Sequence, residues 1–285
     1  MQFTKMHGAG NDYVYIDARA KDKDWPALSI AMSDRHRGIG SDGLILAQES
    51  DRADLRMSMY NADGSEGKMC GNGIRCLVAF AMKNGIVPAD SSTVTVETLS
   101  GDLTVTPTWE DGRVTRAVVG MGEPGFAVDQ VPVVAPGHDT LVDYPLSVGG
   151  GIFGISCVSM GNPHAVAFID TPVDEVPLPD LGPKIEHNPM FPEQVNFEIV
   201  NILDRSHVKV RVWERGSGLT MACGTGACAV VAVGRQNGLL DDDVTVSLPG
   251  GELQIHWPGT GEVTMKGPVE EVFEGEWSAQ DTTSH

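Results

Sequence analysis

The chain carries one pattern twice at a fixed spacing. Met69-Cys70-Gly71-Asn72-Gly73 opens an apolar run that ends at Asn84-Gly85, and Ala222-Cys223-Gly224-Thr225-Gly226 opens another that ends at Asn237-Gly238. The offset is 223 − 70 = 153 at the cysteines and 237 − 84 = 153 at the run ends. Met57-Ser58-Met59-Tyr60-Asn61 meets Val210-Arg211-Val212-Trp213-Glu214 at the same offset. Gly10-Asn11-Asp12 with its following apolar stretch is echoed by Gly161-Asn162-Pro163-His164 and the stretch after it. Val94-Thr95-Val96 and Gly101-Asp102-Leu103 return as Val244-Thr245-Val246 and Gly251-Glu252-Leu253. Internal duplication is the simplest cause, and each unit is long enough to be a domain rather than a solenoid repeat.

Most of each unit reads as strand. Val94 to Glu97, Leu103 to Thr106, Val114 to Val119, Val208 to Trp213 and Val263 to Lys266 are short, β-branched and alternating, bounded by Gly, Asp and Pro. The run after each cysteine reads as a helix. Ile74, Leu77, Val78, Ala81 and Met82 recur at helical spacing, and Ala79 and Phe80 fill the remaining face. A helix apolar all round is a buried helix. Gly85 and Gly238 stand where a left-handed residue commonly ends one. The expected fold is α/β (α+β): two pseudo-symmetric domains, each a curved, barrel-like, mostly antiparallel sheet around a central helix, with the active site in the cleft between them. The expected domains are residues 1–121 plus 268–285, and residues 122–267.

Composition narrows the function. A formal net charge of −19 repels nucleic acid and anionic membranes, so neither is an expected partner. No apolar run reaches the length of a membrane span, and the first residues lack a signal-peptide pattern, so a cytoplasmic protein is expected. Cys70, Cys76, Cys157, Cys223 and Cys228 form no even disulfide framework and no metal-binding spacing, and no metal is expected. Gly38-Ile39-Gly40-Ser41-Asp42-Gly43 fits the dinucleotide fingerprint G-x-G-x-x-G, but it follows charged residues and leads into an apolar strand-like run. A tight turn is the better reading.

The chemistry sits at the helix starts. A thiol just before a helix meets orphan N–H groups and the positive end of the helix dipole, which favour the thiolate. The N–H groups of Gly71, Asn72, Gly224 and Thr225 suit a carboxylate. Two such sites facing one ligand would put an α-carbon between two sulfurs: one thiolate removes the α-proton, and the opposite thiol reprotonates the other face. Buried, inert thiols are the ordinary fate of cysteine, and Cys76, Cys157 and Cys228 read that way. Asn61, Asn162 and Asn196 taken singly are turn residues. With Glu214-Arg215 they suit an amino-acid headgroup, amides and Arg for carboxylate and Glu for ammonium. His164 is ambiguous by itself, but near a thiol it can tune the sulfur.

These motifs, with Met6-His7-Gly8-Ala9-Gly10-Asn11-Asp12, Tyr60-Asn61-Ala62-Asp63-Gly64-Ser65, Val195-Asn196-Phe197 and Trp213-Glu214-Arg215-Gly216, resemble the diaminopimelate epimerase family in order and over nearly the whole chain. The resemblance implies cofactor-independent interconversion of LL- and meso-diaminopimelate, a step of lysine and cell-wall precursor synthesis, by a homodimer. It implies Cys70 and Cys223 as the acid–base pair. Asn11, Asn61, Asn162, Asn196, Glu214 and Arg215 would bind substrate, with Gly71, Asn72, Gly224 and Thr225 as carboxylate-binding backbone. His164 and Glu214 would tune the thiols, and Phe273 would contact the dimer partner. Two residues depart from the family pattern: Gly43 stands where some members carry a substrate-contacting Gln, and Leu219 where many carry Glu. Two rival functions share the thiols. One is a racemase for another amino acid, such as histidine; the other is a thiol redox or non-catalytic ligand-binding protein, and a disulfide between Cys70 and Cys223 is expected to inactivate the enzyme rather than to be its purpose.

Overall fold

The structure, a computed structural model, describes residues 1–278. The chain divides into two compact units: Met1–Ala117 with the segment from Pro268 onward, and Val118–Gly267. The first break falls inside the strand Arg113–Gly120, four residues before the expected position at 121 (121 − 117 = 4). An alternating strand gives no sign in sequence of where one unit hands over to the next. Residues 279–285 of the expected first domain lie outside the described residues.

The duplication is visible in the ladder of each unit. In the first, Gln2–Gly8 pairs antiparallel with Asn11–Asp17, which pairs parallel with Gly43–Gln48; this pairs antiparallel with Leu55–Asn61, which pairs parallel with Val94–Thr98, itself antiparallel to Gly101–Glu110. In the second, the same alternation runs through Gly151–Ser159, Pro163–Phe168, Asn196–Asp204, His207–Glu214, Asp243–Leu248 and Gly251–His256. The strands expected from alternation all form, some of them longer than their apolar cores. The expected mixed, mostly antiparallel sheets form in both units, and they are not closed barrels.

Among the described residues four α-helices form: α1 (Trp25–Ser33), α2 (Gly71–Lys83), α3 (Leu178–Glu186) and α4 (Gly224–Gln236). Helices α2 and α4 begin 153 residues apart (224 − 71 = 153) and have equal length. Twelve of the thirteen residues of α2 are buried. It packs on the first three strands of its ladder and on Gly101–Glu110 at the far end; α4 repeats this with the corresponding strands of its own unit. A helix touched by both ends of a ladder has the sheet curled around it. Both helices end at an Asn cap followed by a glycine with positive φ, +67° at Gly85 and +72° at Gly238, so the terminators act as the sequence suggests. Helices α1 and α3 were not visible as periodic runs. Each starts with a proline in its first turn, and α1 is capped by Asp24, whose carboxylate accepts from Ala27 N at 3.1 Å.

Candidate active site

In the first unit Cys70 is the N-cap of α2. Its backbone is extended, and its Sγ accepts from Gly73 N at 3.3 Å. A sulfur thus takes the place usually held by Ser or Asp, and the first-turn N–H groups of Gly71 and Asn72 flank it. Cys70 Sγ donates to Asn11 Oδ1 at 3.1 Å, and Asn72 Nδ2 approaches the same oxygen at 3.4 Å. The Asn11 amide is held from behind, its Nδ2 donating to Asp42 Oδ2 at 2.7 Å. Asp42 also accepts from Asp12 N, and Arg35 Nη2 bridges Asp12 and Asp42 at 2.8 and 2.9 Å. Lys5, buried, pairs with Asp12. Burial disfavours the charged form of Asp12, but Arg35 and Lys5 together hold its carboxyl below the ordinary range. Asp42 is pushed up, by burial and then by the charge of Asp12. Tyr13 is buried next to Cys70 and Asn11, and burial lifts its phenol well above the ordinary range.

Arg75, fully buried in α2, donates from Nη1 to Gly71 O at 3.0 Å and from Nη2 to Asn72 Oδ1 at 2.9 Å, fixing the first turn of the helix. Asn61 ends the strand Leu55–Asn61 and donates to Ser65 Oγ at 2.9 Å. Opposite it, a Cβ on Gly43 would lie 2.2 Å from Tyr60 O, so this backbone accepts no side chain at the position where some family members carry Gln.

In the second unit Cys223 caps α4 in the same way, with Sγ accepting from Gly226 N at 3.3 Å and meeting Thr225 Oγ1 at 3.4 Å. Asn162 Nδ2 reaches Thr225 Oγ1 at 3.4 Å, and Asn162 Oδ1 lies 3.0 Å from His164 Nε2. On its other side, His164 Nδ1 is 2.7 Å from Glu198 Oε1. Asn196 is buried and braced: its Nδ2 donates to Pro163 O at 2.8 Å and its Oδ1 accepts from Arg215 N at 2.9 Å. Glu186 accepts from Trp213 Nε1 at 2.7 Å and from Gly216 N at 2.8 Å, which sets the turn bearing Glu214 and Arg215. Glu214 accepts from Thr220 Oγ1 at 2.5 Å. Burial pushes the Glu214 carboxyl up, and the Glu198 charge adds to that.

The structure corrects one expectation here. The helix start was expected to favour a thiolate, yet Cys223 is pushed well above the ordinary thiol range, by burial first and then by Glu214 and Glu198. Thr225 and Gly226 N oppose the shift without reversing it. The dipole argument is local, whereas the two carboxylates arrive from distant strands. Cys76 and Cys157 are pushed up to about 11 and about 12, chiefly by burial, as suits inert thiols. All five cysteines are thiols.

Of the residues singled out in sequence, Cys70, Asn11, Gly71 and Asn72 gather in the first unit, and Cys223, Gly224, Thr225, Asn162, His164 and Glu214 in the second. Asn196 and Arg215 support the second group through one hydrogen bond. Phe273 lies elsewhere in the first unit, exposed on Glu270–Glu276 and edge-on to Phe3 at 5.9 Å. Sequence reasoning missed Asp42, Arg35, Arg75 and Glu198. For Arg75 and Glu198 a signal existed, since each is a lone charge in an apolar run (Ile74 to Met82 and Val195 to Val200). Among the described residues no helix is long and apolar enough to cross a membrane.

The fold, a mixed α/β unit present twice, is one seen in solved structures of low identity. A Bacillus anthracis phenazine biosynthesis protein of the PhzF family matches with a TM-score of 0.70 at 16% identity, covering 98% of this chain and 99% of that one. A probable proline racemase from Agrobacterium radiobacter matches with 0.70 at 14%, covering 99% and 94%. These likenesses establish the fold. The family model described as diaminopimelate epimerase matches residues 3–127 and 156–272. Curated diaminopimelate epimerases of Acetivibrio thermocellus and Pelotomaculum thermopropionicum are 45% and 46% identical over 278 and 280 residues. Each alignment covers 97% of this chain, with 98% and 99% of the relatives. The chain belongs to the diaminopimelate epimerase family, whose members are isomerases.

Proposed function

We propose that the protein interconverts LL- and meso-diaminopimelate without a cofactor, with Cys70 and Cys223 as a two-base pair acting on one α-carbon. The observation that carries this reading is the matched placement of the two sulfurs, each capping a glycine-rich helix start at the same point of a duplicated unit. A substrate carboxylate is held by first-turn N–H groups of Gly71, Asn72, Gly224 and Thr225, where helix dipoles favour negative charge. Those fixed dipoles also oppose the charge that builds on the carbon as its proton leaves. Asn11, Asn61, Asn162, Asn196 and Arg215 supply polar contacts to the substrate's headgroups. Glu214, beside Cys223, faces an ammonium and tunes the thiol. Cys70, donating to Asn11 Oδ1, is poised as the acid, and the direction of the reaction sets which sulfur serves as base.

The remaining expectations attach to this function. The enzyme works in the cytoplasm as a homodimer, with Phe273 on the exposed strand Glu270–Glu276 in the contact; a monomer in sedimentation at assay concentrations removes that contact. The test of the reaction is proton NMR of LL-diaminopimelate with reduced protein in D2O, without pyridoxal phosphate or added metal. The α-proton signal is expected to fade as the meso isomer appears. No exchange, with all thiols confirmed reduced, removes the substrate assignment and leaves another amino acid or a redox role.

A further inference from the structure

Each unit carries a second, shorter helix at the same point of its ladder. Helix α1 lies in the chain between Asn11–Asp17 and Gly43–Gln48, and α3 between Pro163–Phe168 and Asn196–Asp204; both have nine residues. Each touches the fourth strand of its ladder, where Tyr60-Asn61 and Trp213-Glu214 end the strands and correspond at the repeat offset (213 − 60 = 153).

In the second unit the contact is made by Glu186, a buried acidic side chain in the last turn of α3. Its Oε2 accepts from Trp213 Nε1 at 2.7 Å and its Oε1 from Gly216 N at 2.8 Å. An indole N–H and a backbone N–H can only donate, so the direction of both bonds is fixed. The Trp213 ring lies against α3 one turn earlier: a Cβ on Gly182 would stand 2.2 Å from its Cδ2. Gly182 and Glu186 are four residues apart and share a helix face, so the ring rests on the first and reaches the second.

We propose that Glu186 is a positioning residue for Glu214 and Arg215. The proposal rests on those two residues binding the substrate's headgroup. The two donors to Glu186, the Trp213 side chain and the Gly216 backbone, flank the pair in sequence, so one side chain fixes both ends of the turn. Gly216 has φ of +74°, a conformation open to glycine, and this turns its N–H toward α3. Between the two ties, Arg215 N donates to Asn196 Oδ1 at 2.9 Å and Arg215 Nη1 to Glu193 O at 2.9 Å. Burying an acidic side chain is costly, and here both of its oxygens go to the turn.

The first unit repeats the arrangement with the opposite chemistry. Ser29 Oγ, fully buried in α1, lies 3.1 Å from Tyr60 O and 2.9 Å from Asn61 O. Carbonyls only accept, so the hydroxyl donates. Gly64, with φ of +83°, seats the following turn on the same helix: a Cβ there would lie 3.0 Å from Ile30 Cδ1 and 3.0 Å from Pro26 O. The copies share the held strand end, bearing Asn61 in one and Glu214 in the other, and not the group that holds it.

The variant Glu186→Gln keeps the shape but has one acceptor, because its amide nitrogen cannot accept from an N–H. KM for LL-diaminopimelate is expected to rise on the order of 10-fold while kcat changes by less than about 3-fold, since headgroup binding loosens in ground state and transition state alike. The control is Ile185→Val, which thins the fully buried side of α3 without removing either tie; it is expected to lower the thermal midpoint and leave KM unchanged. Where Glu186→Gln does not fold, Trp213→Phe removes one donor, keeps a ring on Gly182 and is expected to raise KM in the same way. A further readout needs no activity: hydrogen exchange at the Gly216 amide is expected to quicken on the order of 10-fold in Glu186→Gln, with the Gly73 and Gly226 amides unchanged. A folded Glu186→Gln with wild-type KM, an equal rise of KM in Ile185→Val, or an unchanged Gly216 amide overturns the proposal. Failure of the functional reading shows separately: the wild type would then turn over no diaminopimelate while the Gly216 amide still loses protection in Glu186→Gln.

Discussion

At the scale of the residue, the two capping sulfurs differ in what surrounds them. Cys70 meets an amide oxygen fixed by Asp42, whereas Cys223 meets hydroxyl and N–H donors within reach of two carboxylates. With the folded Cys223 raised, its thiolate fraction grows only as pH climbs above the ordinary thiol range, and so does any rate that needs it. Glu214→Gln removes one of the raising charges, so the pH midpoint for alkylation of Cys223 by iodoacetamide, followed by mass spectrometry, should move down. A midpoint that stays or rises would show that Glu214 acts by contact rather than by charge. The cysteines themselves were legible in sequence because their signal is local: a thiol, two glycines and an apolar run. The shift of Cys223 was not, because Glu198 lies 25 residues before it (223 − 198 = 25) and reaches it only through the sheet. Arg35, Asp42 and Asp12 were hidden for the same reason, since charged residues in separate loops show no periodicity.

Among the elements, α2 and α4 are each the buried helix of their own unit, and they were the most readable parts of the chain. Leu77 is fully buried in α2, and Leu77→Ala should cost about 2–5 kcal/mol, a clear fall in the midpoint of thermal unfolding. Gly85→Ala forces an alanine into φ of +67° beside open space and should cost only about 1–2 kcal/mol. If the two variants lose equal stability, the burial account of α2 is wrong. Serine in place of either capping cysteine should leave stability nearly intact, because its hydroxyl caps the same N–H. Strands announced themselves by alternation, as in Val94–Thr98 with its buried and half-buried residues in turn. Helices α1 and α3 did not, since short proline-led helices rest on caps and tertiary packing more than on a repeated apolar face.

For the molecule as a whole, duplication is the organising fact. The order of antiparallel and parallel pairings, the strands that touch each central helix, and the capping thiol all occur twice. The sequence offset of 153 made that much legible, whereas the hand-over at Ala117 was not, since it depends on strand pairing over long range. The copies have diverged in polar surroundings while keeping the thiol, as is expected if each supplies one half of a single acid–base pair. The most direct measurement is proton NMR in D2O of LL- and meso-diaminopimelate with Cys70→Ser and Cys223→Ser, folding first confirmed by unchanged thermal midpoints. The account predicts that neither variant interconverts the isomers at a rate near wild type, and that any residual α-proton exchange favours one isomer in Cys70→Ser and the other in Cys223→Ser. Epimerisation at the wild-type rate by either single variant would contradict the two-thiol mechanism.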